Sequence, residues 1–207
     1  MTQNNLLQIK TLIFDLGGVY FTDGAATAIK SIAATYSLTE AQVTEVIKGD
    51  LGTQYRIGAI TPDEFWQRAT AAWNITAPTA EIAAIWLQAY VPIPATIALI
   101  DRLQTAGYEL LFLSDNAPDR IDYLEKTYHF LQHFQDGVFS HIAGVRKPDP
   151  KMYQLVLQKT TTPAAQCLFI DDKPAMLEPA RKLGMHVIHF TGPEQLEKDL
   201  QSLGLKF

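Results

Sequence analysis

Four short segments of this chain carry residue types that could do chemistry together: Phe14-Asp15-Leu16-Gly17-Gly18-Val19, Leu113-Ser114-Asp115-Asn116, Arg146-Lys147-Pro148-Asp149 and Ile170-Asp171-Asp172. Singly, each has an ordinary structural explanation. An Asp after an apolar run is a common N-cap, Gly-Gly is loop chemistry, Ser-Asp-Asn fits an Asx turn, and Lys147 fits a solvated lysine. Placement changes the reading, because each segment stands at or near the end of a predicted strand. Three carboxylates, Asp15, Asp171 and Asp172, would then converge on one sheet edge. Two unit charges ~4 Å apart repel by about 4 kcal/mol at an effective dielectric of roughly 20. Such a cluster must take up protons or hold a cation. Hard oxygen ligands in a partly open site suit Mg²⁺, which keeps some waters or a substrate phosphate. Lys147 would add a fixed positive charge and Ser114 a hydroxyl. An anion held between metal, ammonium and hydroxyl is phosphoryl-transfer geometry.

The elements that must position these residues are legible from apolar patterning. Thr11-Leu12-Ile13-Phe14 is short, apolar and closed by Asp15 and the two glycines, as a buried strand of a parallel sheet would be. A long helical stretch follows, from about 24 to 89. Within it Thr39 with Gln42 fits a capping box, and Thr61-Pro62-Asp63-Glu64 supplies an N-cap, an N1 proline and an acidic first turn. Phe65, Trp66, Ala69 and Trp73 then recur at helical spacing, a pattern of core packing between helices. From Pro94 onward strands and helices alternate. Strands are expected at Leu110–Leu113, around Val138-Phe139, at Leu168–Ile170 and at 186–189, and Asp149-Pro150 opens a helix.

That alternation predicts an α/β fold, a Rossmann-like, doubly wound parallel sheet. A crossover between parallel strands needs only about a dozen residues, so the long helical stretch reads as an insertion. The expected division is a core of residues 1–21 and 92–207 and a helical cap of 22–91. The cap would emerge at the sheet edge where open α/β folds bind ligands.

Composition bounds the alternatives. The 207 residues are 47% hydrophobic and 19% charged, with a net charge of −5. The acidic balance weighs against nucleic-acid and anionic-membrane partners. The single cysteine, Cys167, sits in an apolar run and has a structural reading. Met1–Asn5 carry no apolar signal core and no apolar run reaches spanning length, so a cytoplasmic protein is expected. There is no GxSxG elbow and no GxxxxGK[ST] loop, and His129 with His133 does not make a zinc pair.

In this order the four segments resemble the four motifs of the haloacid dehalogenase-like superfamily, and the helical insertion resembles the cap of its epoxide-hydrolase-N-domain-like and glucose-1-phosphate-phosphatase-like members. The resemblance covers essentially the whole chain. It implies a two-step phosphohydrolase acting on a small phosphorylated substrate through an aspartyl-phosphate on Asp15. Mg²⁺ would be held by Asp15, the backbone carbonyl of Gly17 and Asp172, with Asp171 behind them. Ser114 and Lys147 would bind the transferring phosphoryl group, alongside Asp115 and the Gly17-Gly18 loop, and Lys147 would orient Asp15.

Two departures from that family pattern stand out. Most phosphatases of the group carry a second Asp two residues after the nucleophile, as general acid and base, and here that position is Gly17. Proton transfer of this kind is worth ~10²–10⁴-fold, and Asp23 or a water would have to replace it. Asp115 stands where Asn is usual. Two rival readings follow: a catalytically weak binding or regulatory protein, fed by Gly17, and a dehalogenase. The dehalogenase ranks low, because those members carry Tyr at the Gly17 position and need no metal. Tyr20, Phe21, Asp23 and Tyr55 are expected to face the substrate from the first loop or the inner side of the cap.

Overall fold

The strand Thr11–Phe14 (β1) is buried along its whole length, and it organises everything that follows. The computed structural model describes residues 8–207, so the expectation drawn from Met1–Asn5 lies outside the described residues. After β1 come five helices, α1 (Gly24–Thr35), α2 (Glu40–Lys48), α3 (Asp50–Arg56), α4 (Pro62–Ala72) and α5 (Thr79–Gln88). The chain then alternates through α6 (Pro94–Thr105), β2 (Glu109–Ser114), α7 (Pro118–Tyr128), β3 (Asp136–Phe139), the short α8 (Ser140–Ala143) and α9 (Pro150–Leu157). It ends with β4 (Cys167–Asp171), α10 (Pro174–Lys182), β5 (His186–His189) and α11 (Pro193–Ser202).

The strands form one parallel sheet in the order β3-β2-β1-β4-β5. Strand order reverses direction between β1 and β4, and such a switch point opens a crevice at the carboxyl edge of the sheet. Phe14 lies opposite Phe112 on one side and Ile170 on the other. That register brings Asp15, Ser114 and Asp171 to the same edge.

Pleating splits the core in two. Leu12, Phe14, Leu110, Phe112, Leu168 and Ile170 face α6, α7 and α11. Ile13, Leu111, Leu113 and Phe169 face α9 and α10 through Met152, Tyr153, Val156, Leu177 and Ala180. Both faces are covered, which is why the strands read as unbroken apolar runs.

Helices α1 to α5 share a second core, built on Ile32, Val43, Phe65, Trp66, Ala69, Trp73, Ile82 and Trp86, which Ala117 joins from the start of α7. The aromatic stripe is therefore packing, as its spacing predicts. Both capping boxes form, with Thr39 accepting from the Gln42 N–H and Thr61 from that of Glu64. Asp149 caps α9 through the Lys151 N–H at 2.8 Å, with Pro150 in its first turn.

This helical layer is fastened over the sheet edge. The Asp119 carboxylate on α7 accepts from the Tyr55 hydroxyl and, at 3.4 Å, from Trp66 Nε1. Ser140 Oγ donates to the Arg56 carbonyl at 2.6 Å, and Arg146 Nη1 donates to Thr53 Oγ1 at 3.1 Å.

Three of the four residues expected to face substrate do not. Tyr55 is buried, stacked on Phe65 at 4.1 Å between ring centroids, and its hydroxyl is spent on Asp119. Tyr20 and Phe21 pack with Phe130 in the main core. Aromatic character at a loop after β1 is as useful for filling the core as for meeting a ligand, and here Tyr20 and Phe21 fill the main core. Among the described residues no helix is long and apolar enough to cross a membrane.

Candidate active site

Asp15 leaves β1 with its N–H still donating to the Ile170 carbonyl at 2.9 Å, so the sheet itself fixes its position. Its Oδ1 accepts from the Leu16 N–H at 2.7 Å and lies 3.0 Å from Lys147 Nζ. The same ammonium is 2.6 Å from Asp171 Oδ2, while Asp171 Oδ1 accepts from the Lys173 N–H at 2.8 Å. Both oxygens of Asp171 are thus engaged, whereas no protein donor reaches Oδ2 of Asp15 among the described residues. Asp15, Lys147 and Asp171 are all buried.

Electrostatics follow from that burial. Desolvation pushes the Asp15 carboxyl above the usual carboxylate range, against the pull of Lys147 and with a push from Asp171. Burial alone would lower Lys147, but Asp15, Asp171 and Asp115 outweigh it and hold the ammonium firmly protonated. Asp172 is also raised, by burial first, with Lys173 opposing. Its Oδ1 is 3.3 Å from Lys173 Nζ, and its carbonyl accepts from His189 Nε2 at 3.0 Å. Asp15, Asp171 and Asp172 each bring a carboxylate oxygen within 4.8 Å of the others.

The loop glycines are needed for closeness. Gly18 has φ +91°, and a Cβ there would sit 2.5 Å from Asp172 Oδ2. Only glycine lets the β1 loop and the acidic pair approach like this. A Cβ on Gly17 would stand 3.3 Å from Tyr90 Cε1 and 3.9 Å from its hydroxyl, and one on Gly24 would overlap the same ring. Tyr90 is 6% exposed and fills the space beside the position where the family pattern has its acid.

Ser114 closes β2 and is 1% exposed. Asp115 has a definite task that its sequence position does not reveal. Its Oδ1 accepts from the Lys147 N–H at 2.9 Å, and its Oδ2 lies 3.4 Å from Arg146 Nε. A carboxylate here therefore fastens the Lys147 segment to the end of β2. For an anion, Asp115 keeps only its backbone N–H to offer.

A cleft of about 220 Å³ joins Asp15, Gly17 and Lys147 to Asp23, Tyr90 and residues of the helical layer. Asp23 reaches the cleft, as the sequence predicts, although its Oδ1 also caps α1 through the Ala26 N–H at 3.1 Å. Sequence reasoning missed the further cations of this cleft: Lys48, Arg56, Arg120, Arg146 and Lys173. Lys173 could have been found, since it adjoins the acidic pair. Arg120 had a weaker signal, its i, i+4 spacing from Asn116, whose Oδ1 accepts from Arg120 Nη1 at 3.1 Å. Arg56 carried none.

The chain is similar to known proteins over most of its length. The family model for "haloacid dehalogenase-like hydrolase" matches residues 9–184. A sesquiterpene phosphatase of Aspergillus oryzae is 30% identical over 186 residues, covering 88% of this chain and 90% of that protein. A HAD family enzyme from Bacteroides thetaiotaomicron, solved with magnesium and inorganic phosphate, superposes with a TM-score of 0.73 at 23% identity, over 87% of this chain and 93% of that one. A predicted HAD-like hydrolase from Porphyromonas gingivalis gives 0.79 at 21% identity, over 97% and 100% of the two chains. At such identities the structural likeness speaks for the fold.

Proposed function

We propose that this chain, which belongs to the haloacid dehalogenase-like hydrolases, is a Mg²⁺-dependent phosphatase of small phosphorylated metabolites working through an aspartyl-phosphate on Asp15. The observation that carries the reading is one cluster at the carboxyl edge of the sheet: Asp15 and Asp171 sharing Lys147, with Asp172 beside them. Its donors fit Mg²⁺, being carboxylate oxygens close enough together to share one hard cation. Asp15, Asp172 and the Gly17 carbonyl would hold the ion. Asp171, whose oxygens already serve Lys147 and the Lys173 N–H, holds the lysine instead. The bound ion supplies charge neutralisation at the phosphoryl oxygens.

The residues of the chain do the rest. Leu16 N–H and Lys147 fix one oxygen of Asp15, leaving the other to attack phosphorus in line. The P–O bond to the alcohol breaks as the Asp15–phosphorus bond forms. Water then attacks that phosphorus, releasing inorganic phosphate and restoring the carboxylate. Lys147 and Ser114 bind the transferring oxygens, helped by the N–H groups of Gly17 and Asp115, while the Gly18 N–H, expected from the sequence to join them, is spent on the Phe21 carbonyl at 2.7 Å. Residues 22–91 act as the cap and 1–21 with 92–207 as the core, so that the helical layer limits what reaches Asp15.

The leaving alcohol needs a proton, and Gly17 cannot give one. Asp23 lines the cleft and is the nearest substitute the sequence offers, with water as the other source. Substrates with good leaving groups would suffer least. A second reading, a phosphoryl-binding protein with little turnover, draws on Tyr90 occupying the space beside Gly17.

Hydrolysis of an activated aryl phosphate by wild type and Asp15→Asn, each with and without Mg²⁺, tests the proposal. Metal-dependent turnover that vanishes in Asp15→Asn supports it. Folded, Mg²⁺-loaded wild type without turnover shifts weight to the binding reading.

A further inference from the structure

Arg120 is 2% exposed, yet its Nε and Nη2 have no hydrogen-bond partner. Its guanidinium carbon lies 3.6 Å from the centroid of the Trp86 ring and 4.0 Å from that of Tyr90. One nitrogen, Nη1, is anchored on Asn116 Oδ1 at 3.1 Å. Arg56, 8% exposed, repeats the pattern: Nη1 donates to the Ile47 carbonyl at 2.9 Å and Nε is unpartnered. Both arginines line the cleft that contains Asp15 and Lys147.

Leaving donors of a buried cation unpaired is costly, more so than for neutral groups. Here three such N–H-bearing nitrogens, each itself buried, belong to two residues that line one cleft. Neither arginine forms a salt bridge among the described residues. Packing explains part of Arg120, since stacking between two aromatic rings favours a guanidinium. It does not explain Nε and Nη2, which form the edge of the fork best suited to a carboxylate or phosphate. Burial first, then the nearby charges of Arg146 and Arg120, lower Arg56 to about 10, with Asp115 opposing. Of the carboxylates lining the cleft, Asp15 is held by Lys147, Asp115 by the Lys147 N–H and Arg146, and Asp23 is committed in part to capping α1.

We propose that the substrate carries a second anionic group, and that this group docks on Arg120 and Arg56 while the reacting phosphate sits at Asp15 and Lys147. The inference rests on the phosphatase reading and narrows its substrate class to phosphomonoesters bearing a further carboxylate or phosphate. The guanidinium fork of Arg120, held flat by Trp86 and Tyr90, sets the direction from which the second anion approaches. Arg56 comes from the inserted helices and Arg120 from the sheet domain, so the second anion would also bridge the two.

The experiment compares kcat/KM for three alkyl phosphomonoesters: ethyl phosphate, without a second anion, 2-phosphoglycolate, with a carboxylate, and ethane-1,2-diyl bisphosphate, with a second phosphate. Wild type should favour at least one doubly anionic probe, and the preferred one identifies the chemistry of the second group. The preference ratio should fall about tenfold or more in Arg120→Gln and in Arg56→Gln, as loss of a charge-assisted hydrogen bond predicts. Arg120→Lys should recover only part of it, because an ammonium lacks the fork. A purely structural arginine would lower all three rates together and leave the ratio unchanged, which overturns the proposal. Equal kcat/KM for all probes in wild type overturns it too. Calorimetric binding of inorganic pyrophosphate against inorganic phosphate to Asp15→Asn, with Mg²⁺ present, separates this idea from the phosphatase reading. Pyrophosphate binding at least tenfold tighter, with the advantage lost on adding Arg56→Gln, supports the anion site even if no probe is turned over. Equal affinities remove it.

Discussion

Lys147 Nζ lies 2.6 Å from Asp171 Oδ2, with the lysine side chain 3% exposed and the aspartate fully buried. A pair this deep is kept by its geometry, because each charge would be costly alone. Lys147→Met should therefore leave Asp171 and Asp15 facing each other uncompensated. We expect a loss of about 3–5 kcal/mol of stability at neutral pH, read by urea unfolding without Mg²⁺. Lowering the pH should restore part of that loss, since the Asp15 carboxyl, already raised by burial, takes up a proton and removes the repulsion. Unchanged stability at pH 7 would mean that the pair is not compensating a buried charge.

Gly18→Ala tests the close approach of two loops. The new methyl would stand 2.5 Å from Asp172 Oδ2 at a backbone φ of +91°. Left-handed backbone costs a non-glycine residue ~1–2 kcal/mol, and Asp172 must also move. The expected outcome is Mg²⁺-dependent activity reduced at least about tenfold with a rightward shift of the Mg²⁺ titration. A normal metal titration would show that the proposed role of Asp172 is wrong.

Gly17→Asp, the change that would install the missing acid, meets the Tyr90 ring at 3.3 Å. Alone it should bring little gain on alkyl phosphates. Combined with Tyr90→Leu, which opens space beside position 17, it should raise alkyl phosphate hydrolysis within the ~10²–10⁴-fold range of general acid catalysis. Aryl phosphates should gain much less. If the double variant is no faster than Tyr90→Leu, proton transfer does not limit the rate.

Asp119 tests the fastening of the helical layer. Its carboxylate receives the Tyr55 hydroxyl and Trp66 Nε1, both from the insertion. Asp119→Ala strands these buried donors, at a cost of about 1–3 kcal/mol. We expect reduced thermal stability, altered tryptophan fluorescence and a raised KM. A variant with wild-type KM and fluorescence would show that the layer is held by its other contacts.

Cys167 should be chemically silent. It is buried, and desolvation pushes its thiol from an ordinary 9.0 up to about 11. Alkylation by iodoacetamide at pH 8 should be far slower for native protein than for protein in urea. The sign of the linked stability effect follows from the same shift. Between pH 9 and 11 the unfolded chain releases this proton before the folded chain does, so stability should fall as pH rises through that window. Native and unfolded chains that alkylate at the same rate would contradict this assignment.

Much of this molecule was legible one segment at a time. β1 stops at Phe14, just before Asp15, and β4 ends at Asp171 because unbroken apolar runs stop where polar residues begin, and the two capping boxes and the Asp149-Pro150 helix start are local hydrogen-bonding events. Register in a parallel sheet then leaves the strand-end residues little choice but to meet. What only the tertiary structure decided depends on which partner a side chain finds across the fold. Tyr55 and Arg56 are consecutive, yet one spends its hydroxyl on Asp119 while the other lines the cleft with its buried Nε unpartnered. Asp115 became a fastener for Lys147, and Tyr90 filled the space beside Gly17, through contacts spanning 32 residues in the first case. Periodicity reports which face of an element is buried. It carries no information about which distant group lies opposite a long polar side chain, and the charge of this cleft is made of such residues.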